Sequence, residues 1–226
     1  MGERHRAARR DEVERNDQAL LDAARAVFAR DGMHTTVASI AATAGVGIGS
    51  LYRRYPTKEK LYERLCLLSL QDYLTAAETG LTDPDPWNGL ATYIKAAVLC
   101  GTGTLAPIAE TLAITDDMAE LGERGDTTAR QVIERAHDAG VLRADVNDVD
   151  IALLIEQLGR SPLVEQVTRH DNRDLHNAAR HARDRLIALA LDGLRAHKTT
   201  ALPEPAPDWT LFTERWRANS NGGTPG

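Results

Sequence analysis

Residues 36–58 read TVASIAATAGVGIGSLYRRYPTK, two short helical patterns hinged on Gly45-Val46 and followed directly by a basic, tyrosine-containing segment. In the first pattern Val37, Ile40, Ala41 and Ala44 recur at spacings of three and four, which makes one apolar stripe able to pack on a neighbouring helix. Gly45 falls where a helix must stop and the chain reverse, so a positive φ is expected there. Val46 is the expected buried anchor of the turn. In the second pattern Leu51 and Tyr55 are four apart and share the inward face, leaving Ile48, Ser50, Tyr52, Arg53 and Arg54 for other faces. Tyrosine and serine hydroxyls can donate to phosphate oxygens, and arginine adds charge neutralisation, the main sequence-independent source of duplex affinity. The pattern is that of a helix-turn-helix. The competing reading is an ordinary helical hairpin whose arginines and tyrosines merely cover its surface.

The flanks favour the first reading. Upstream, Leu20, Ala23, Ala24, Val27 and Phe28 trace an amphipathic helix, with Asn16 or Asp17 as its expected N-cap and Gly32 as its stop. Downstream, Pro56 disfavours helix at Tyr55, and Thr57 can cap a new helix whose first turn carries Lys58. A lysine does not complement a helix N-terminus electrostatically, so it makes more sense as a second source of attraction for phosphate.

The segment AATAGVGIGSLYRRYPTKEKLYERL, residues 41–65, resembles the DNA-binding signature of the tetracycline-repressor family of bacterial regulators. The resemblance rests on Ala44-Gly45-Val46, Gly49, Leu51-Tyr52, Tyr55 and Lys58-Glu59 at the family's spacing, and runs from the first helix to the start of the fourth. It implies that Ile48, Gly49 and Ser50 lie nearest the base edges, while Thr36, Gly47, Tyr52, Arg54 and Lys58 hold phosphates. Ile48 and Ser50 are then the expected specificity residues. The chain departs from the family pattern at Gly47, where Ser or Thr is frequent, and at Arg54, where His is frequent. Gly47 can still cap through its backbone, but the missing hydroxyl removes one phosphate contact. Ile48 offers no hydrogen bond, so readout there leans on a thymine methyl or on DNA shape.

Charge is distributed unevenly along the 226 residues. Residues 1–60 carry 11 Lys and Arg against 8 Asp and Glu, whereas 61–226 carry 16 against 25, so a net +3 head precedes a net −9 body. The overall charge of −6 argues against a histone-like coating of DNA and for one local binding site. Arg4, Arg6, Arg9 and Arg10 lie in a polar leader without apolar periodicity, an arm that either enters a minor groove or stays solvated. Cys66 and Cys100 are expected as reduced core or pocket residues, which fits a cytoplasmic setting. No apolar stretch approaches the ~20 residues that cross a bilayer, and the charged start is unlike a signal peptide, so no membrane association is expected.

Beyond residue 60 the pattern stays helical. A long fourth helix through Leu61, Leu65, Leu68 and Leu74 is expected to end near Gly80, and 82–86 to form a loop. A helix over Trp87 to Cys100 follows, then a shorter one over Leu105 to Ile114. Another runs from Asp116 to Ala139, interrupted between Gly122 and Gly125 and stopped by Gly140. Asp145 or Asn147 can cap a helix from Val149 to Arg160 that is apolar on several sides. The last helix, Asp174 to about Ala196, offers Ala178, Ala182, Leu186, Leu189 and Gly193 as a stripe for helix docking. The tail carries Pro203, Pro205, Pro207 and Gly222-Gly223 and is expected to be irregular, though Trp209, Leu211, Phe212 and Trp216 can dock.

The family resemblance implies that the last two long helices form a homodimer interface, here through Leu154, Leu158, Ala182, Leu186, Leu189 and Gly193. A two-fold dimer doubles the base contacts and presents two helices to adjacent major-groove turns. The resemblance also implies a small-molecule effector inside the helical body, with Trp87, Tyr93, Ile94, Ala97, Cys100, Leu105, Ile108, Leu112, Met118 and His137 as candidate walls. Enzyme chemistry has no positive signal. Asp116, Asp117, Glu120, Glu123 and Asp126 read as a solvated helix face, and His170, His176 and His181 lack metal spacing. Walker, Rossmann and nucleophile-elbow patterns are missing, so neither a metal, a cofactor nor a catalytic residue is expected.

The reading is an all-α chain in four parts. They are a basic arm (1–15), a helix-turn-helix DNA-binding domain (16–60), a helical effector-binding and dimerisation domain (61–197), and a Pro/Gly-rich tail (198–226). It describes a regulator, most simply a homodimeric repressor released from a palindromic double-stranded DNA operator by a small-molecule effector. The alternative is a helical ligand carrier or enzyme with a vestigial helix-turn-helix.

Overall fold

The computed structural model describes residues 15–27, 31, 34–100, 112–159, 167, 172–197 and 200–210. Eight helices account for most of these: α1 (15–27), α2 (Val37–Thr43), α3 (Ile48–Arg54), α4 (Lys58–Thr82), α5 (Pro86–Leu99), α6 (Asp116–Asp138), α7 (Asp148–Gly159) and α8 (Arg173–Gly193). The all-α expectation holds; the only bridge-like backbone pairing among the described residues is the isolated contact of Leu142 with Arg195.

Local chemistry sets most boundaries. Thr36, Thr57, Asp85, Thr115 and Asn172 each accept a backbone N–H from the first turn of the helix they cap. Asn147 and Asp150 cap α7 reciprocally, each side chain accepting the other's backbone N–H at 2.9 and 3.0 Å. Pro86 occupies the first turn of α5, where its missing N–H costs nothing. Both α2 and α6 end on a glycine at positive φ, Gly45 at +68° and Gly140 at +64°. In each case the next two N–H groups fold back on the last turn: Gly45 to Ala42 and Val46 to Ala41, Gly140 to His137 and Val141 to Ala136.

Two cores form along α4. Leu20, Leu21, Ala24 and Val27 of α1, Val37, Ile40 and Ala41 of α2, and Leu51 of α3 close on Leu61, Tyr62, Leu65 and Cys66 of α4. The first core therefore continues past residue 60, and Met118 from the start of α6 joins it. The second core sets Ala76 and Ala77 of α4 against Leu90, Tyr93, Ile94 and Ala97 of α5 and Ala129, Val132, Ile133 and Ala136 of α6, with Ile151, Ile155, Ile187 and Leu191 closing it. At the α4–α5 corner the backbones nearly touch: a Cβ on Gly80 would stand 2.7 Å from the Gly89 carbonyl oxygen.

Several expectations change. Asp17 is not a helix cap but lies inside α1, and Val46 is half-buried. The fourth helix runs to Thr82, beyond Gly80. α6 is continuous through Gly122 and Gly125, and Gly125 leaves room for the Tyr73 ring, 2.8 Å from where its Cβ would be. Of the expected 105–114 helix, Leu112 to Ile114 are described and are not helical; the remainder lies outside the described residues, as do Phe28, Gly32, residues 1–14 of the basic arm and His170. The inward face of α8 is Ala179, Ile187 and Leu191, so Leu186 and Leu189 point out, 52% and 66% exposed. The stripe read from the sequence therefore lies mostly on the outer side: α8 is apolar on two faces, and the described residues cover only the other one.

The described tail, 200–210, is irregular yet attached. Thr200 and Pro207 carbonyls accept from Arg143 and Asn147, the Leu202 N–H donates to Asp145, and the Trp209 indole donates to Asp148 at 2.9 Å.

Candidate nucleic-acid interface

α3 is short because its ends are chemically fixed. Gly47 caps it through its carbonyl, which accepts from Ser50 and Leu51 at 2.9 and 3.0 Å, and Gly47 supplies no side-chain bond. Tyr55 is extended, as a residue before proline must be, and Thr57 then opens α4 by accepting from the Lys60 N–H at 3.2 Å. Only Leu51 of α3 is buried, 2% exposed, and it anchors the helix on the first core.

All eight residues assigned to DNA by resemblance are on the surface. Ile48 and Tyr52 are each 45% exposed, and Gly47, Gly49 and Ser50 are open beside them. Thr36 is engaged in a capping box with Ser39, its Oγ1 accepting the Ser39 N–H at 3.1 Å. Lys58 leans over the Tyr62 ring, 5.1 Å from its centroid. Arg54 differs from the other seven. Its guanidinium pairs inward with the Asp17 carboxylate at 2.8 Å.

Asp17 is the residue that sequence reasoning missed. It is 1% exposed, and its two oxygens take three hydrogen bonds and one further ion pair. Oδ1 accepts from the Tyr55 hydroxyl at 2.8 Å and is ion-paired with the Arg54 guanidinium, while Oδ2 accepts from Arg64 Nε and Nη2 at 3.1 and 2.9 Å. One buried carboxylate thus joins α1 to the end of α3 and to α4. Burial first, and then the bond to Asp17, pushes the Tyr55 phenol up to about 12. The signal was present in the sequence: Asp17 precedes Leu20, Leu21 and Ala24 by three, four and seven residues, so it lies on the apolar stripe of α1 and needs buried cations. A second clamp of reversed polarity joins the same helices, Arg25 of α1 reaching Asp72 at 3.2 Å and Ser69 at 3.3 Å on α4.

Among the described residues the candidate effector walls divide between the two cores. Trp87, Tyr93, Ile94 and Ala97 are packed in the second core, whereas Met118 and half-buried Leu112 belong to the first. Tyr93 shares a hydroxyl hydrogen bond with Tyr73 at 3.1 Å. Cys100 and His137 are half-buried, and Leu105 and Ile108 lie outside the described residues. A cleft of about 370 Å³ opens elsewhere, between α4 and α6, lined by Arg64, Leu67, Leu68, Gln71, Asp117, Glu120 and Leu121. Of the proposed dimer residues, Leu154, Leu158 and Ala182 are half-buried, and Leu186, Leu189 and Gly193 are exposed. Among the described residues no helix is long and apolar enough to cross a membrane.

Residues 20–65 match the model of the tetR family of bacterial regulatory proteins. No curated protein matches the chain. Among solved structures, a TetR transcriptional regulator from Streptomyces coelicolor is 25% identical, with 79% of this chain and 98% of that one covered at a TM-score of 0.52. A TetR transcription regulatory protein from Mycobacterium vanbaalenii is 24% identical over 82% of this chain and 98% of its own, TM-score 0.54. The TetR-like regulator LfrR from Mycobacterium smegmatis, solved in complex with proflavine, is 22% identical over 84% and 99%, TM-score 0.52. With the helix-turn-helix built on α2 and α3 and a helical body behind it, residues 20–65 form a tetR-type DNA-binding domain, and the chain has the fold of TetR transcriptional regulators, which supports a DNA-binding transcriptional regulator.

Proposed function

We propose that the protein is a homodimeric repressor that occupies a near-palindromic operator and leaves it when a small molecule binds the helical body. The observation that carries this reading is α4, one helix of 25 residues whose first turns lie in the DNA-binding core and whose last turns lie in the second core. A rigid rod shared by two cores converts a change in one into a tilt of the other. Coupling of about 1–3 kcal/mol is enough, provided the ligand favours the conformer whose recognition helices are misplaced for successive major grooves.

In this reading Ile48, Gly49 and Ser50 approach the bases, and Thr36, Gly47, Tyr52 and Lys58 hold phosphates. Two-fold pairing uses the outer face of α8, where Leu186 and Leu189 stand exposed in one copy, together with Leu154 and Leu158 of α7. Burying such leucines against a second copy removes apolar surface from water and fixes the spacing of the two recognition helices. The cleft beside Arg64 is the effector's point of entry, because it lies between α4 and α6 and touches a member of the Asp17 cluster. A fold of this kind accommodates a small organic molecule in LfrR.

Selection of bound duplexes from a random pool tests the reading directly. A palindromic motif, bound with a steep salt dependence near −0.9 per phosphate in logarithmic slope, is the expected result. Recovery of no sequence would remove the regulator reading, and a motif without two-fold symmetry would remove the dimer.

A further inference from the structure

We infer that Arg53 reads a guanine in the major groove and that its neighbour Arg54 is a positioning residue. The inference rests on the DNA-binding reading above. At about 100° per residue, positions 49 and 53 of α3 fall opposite buried Leu51, and positions 50 and 52 fall on the flanks. Position 54 falls on the inward side, about 60° from Leu51. The contacts follow this arrangement. Arg54 reaches back to Asp17 at 2.8 Å and lies over the Tyr55 ring, 5.4 Å from its centroid. Arg53 is exposed and makes no ion pair or side-chain hydrogen bond with a described residue.

Gly49 completes the geometry. It sits one turn before Arg53 on the same outward line, and a Cβ built there meets nothing within 4 Å, so the middle of the exposed face is bare backbone. Helical side chains lean toward the N-terminus of their helix, which directs Arg53 over the Gly49 turn. A long, planar, always-charged fork above a bare turn suits the paired acceptors O6 and N7 of guanine, the contact that arginine makes bidentately. Ile48 has no donor, so Arg53 adds a readout of a different chemistry from that of the helix start. Two adjacent arginines then divide the work: one guanidinium is spent on orienting the helix from behind, and the other is left free in front.

Duplexes are selected from a random pool with the full-length wild type and with Arg53→Ala, Arg53→Lys and Arg54→Ala. Affinities for the duplex preferred by the wild type are then measured across salt. A G·C pair in each half-site is expected to disappear from the motif of Arg53→Ala, with affinity lowered about 5- to 150-fold. Arg53→Lys should lose the same preference while keeping the salt slope, since it retains charge without the fork. Arg54→Ala should keep both motif and slope while binding every duplex more weakly. The same motif from Arg53→Ala, with affinity unchanged or uniformly lowered and a slope shallower by about 0.9, would overturn the readout role. A changed motif from Arg54→Ala would overturn the division of labour. If the wild type itself selects nothing, it is the DNA-binding reading that fails.

Discussion

The carboxylate of Asp17 and the guanidinium of Arg64 meet 47 residues apart in sequence, through two hydrogen bonds of 3.1 and 2.9 Å to one oxygen. Eight residues further along both helices, Arg25 meets Asp72 with the charges exchanged. Reversed polarity at a two-turn interval fixes the register of α1 against α4, because a slip of two turns would oppose like charges. The recognition helix is held from behind by the same cluster, through Arg54 and Tyr55.

Asp17→Ala leaves the side chains of Tyr55, Arg64 and Arg54 without their common partner. Arg64 and Arg54 keep 41% and 34% of their side chains exposed, so water recovers part of the loss. A destabilisation of about 2–3 kcal/mol is expected, below the full cost of opening a buried pair. Urea unfolding measures it, and an unchanged midpoint would show that the cluster is not coupled to folding.

Gly89→Ala places a methyl group against the Gly80 carbonyl, where backbone meets backbone and neither side chain can yield. The corner between α4 and α5 must open, at a cost of about 1–3 kcal/mol or more. Gly122→Ala, in the interior of α6 with only Leu70 Cδ2 at 4.0 Å, should instead stabilise by about 0.5–1 kcal/mol. Opposite shifts of the two thermal midpoints check the pair.

Leu186→Glu combined with Leu189→Glu should yield a folded monomer, because both side chains are exposed in the single chain. Sedimentation would show the lower mass, and operator affinity should fall with it. A dimer that survives both changes would move the two-fold contact to another face.

Alkaline conditions test the buried phenols. Burial is the first cause that pushes Tyr55 and Tyr73 up to about 12 and Tyr93 well above 10, while an unfolded chain releases these protons near pH 10. The folded state therefore holds protons that the unfolded state has lost. Their contribution is complete below pH 10 and disappears as pH rises through about 12. Stability to urea should fall across that window, and Tyr55→Phe should fall less. Cys66, whose thiol burial pushes up to about 11, should resist alkylation at about pH 8 until the chain unfolds.

The amino-acid sequence alone determined what depends on a few neighbouring residues. Thr36, Thr57 and Asn147 cap helices because a short oxygen-bearing side chain reaches the N–H three residues on, and Gly45 turns because only glycine enters positive φ without cost. The same locality exposed Ile48, Ser50 and Tyr52 around a buried Leu51. The tertiary structure alone decided the fate of groups whose environment arrives from far along the chain. Asp17 stands on the apolar stripe of α1, but which cations would meet it was settled only when Arg54 and Arg64 approached. Arg53 and Arg54, alike in type and adjacent in sequence, parted because α1 supplies a carboxylate to one side of α3. α8 carries two apolar faces, and which one stays outside was settled by the shape of the second core. Hydrogen-bonded turns close over four or five residues, whereas burial and charge pairing require surfaces that exist only after distant helices have packed.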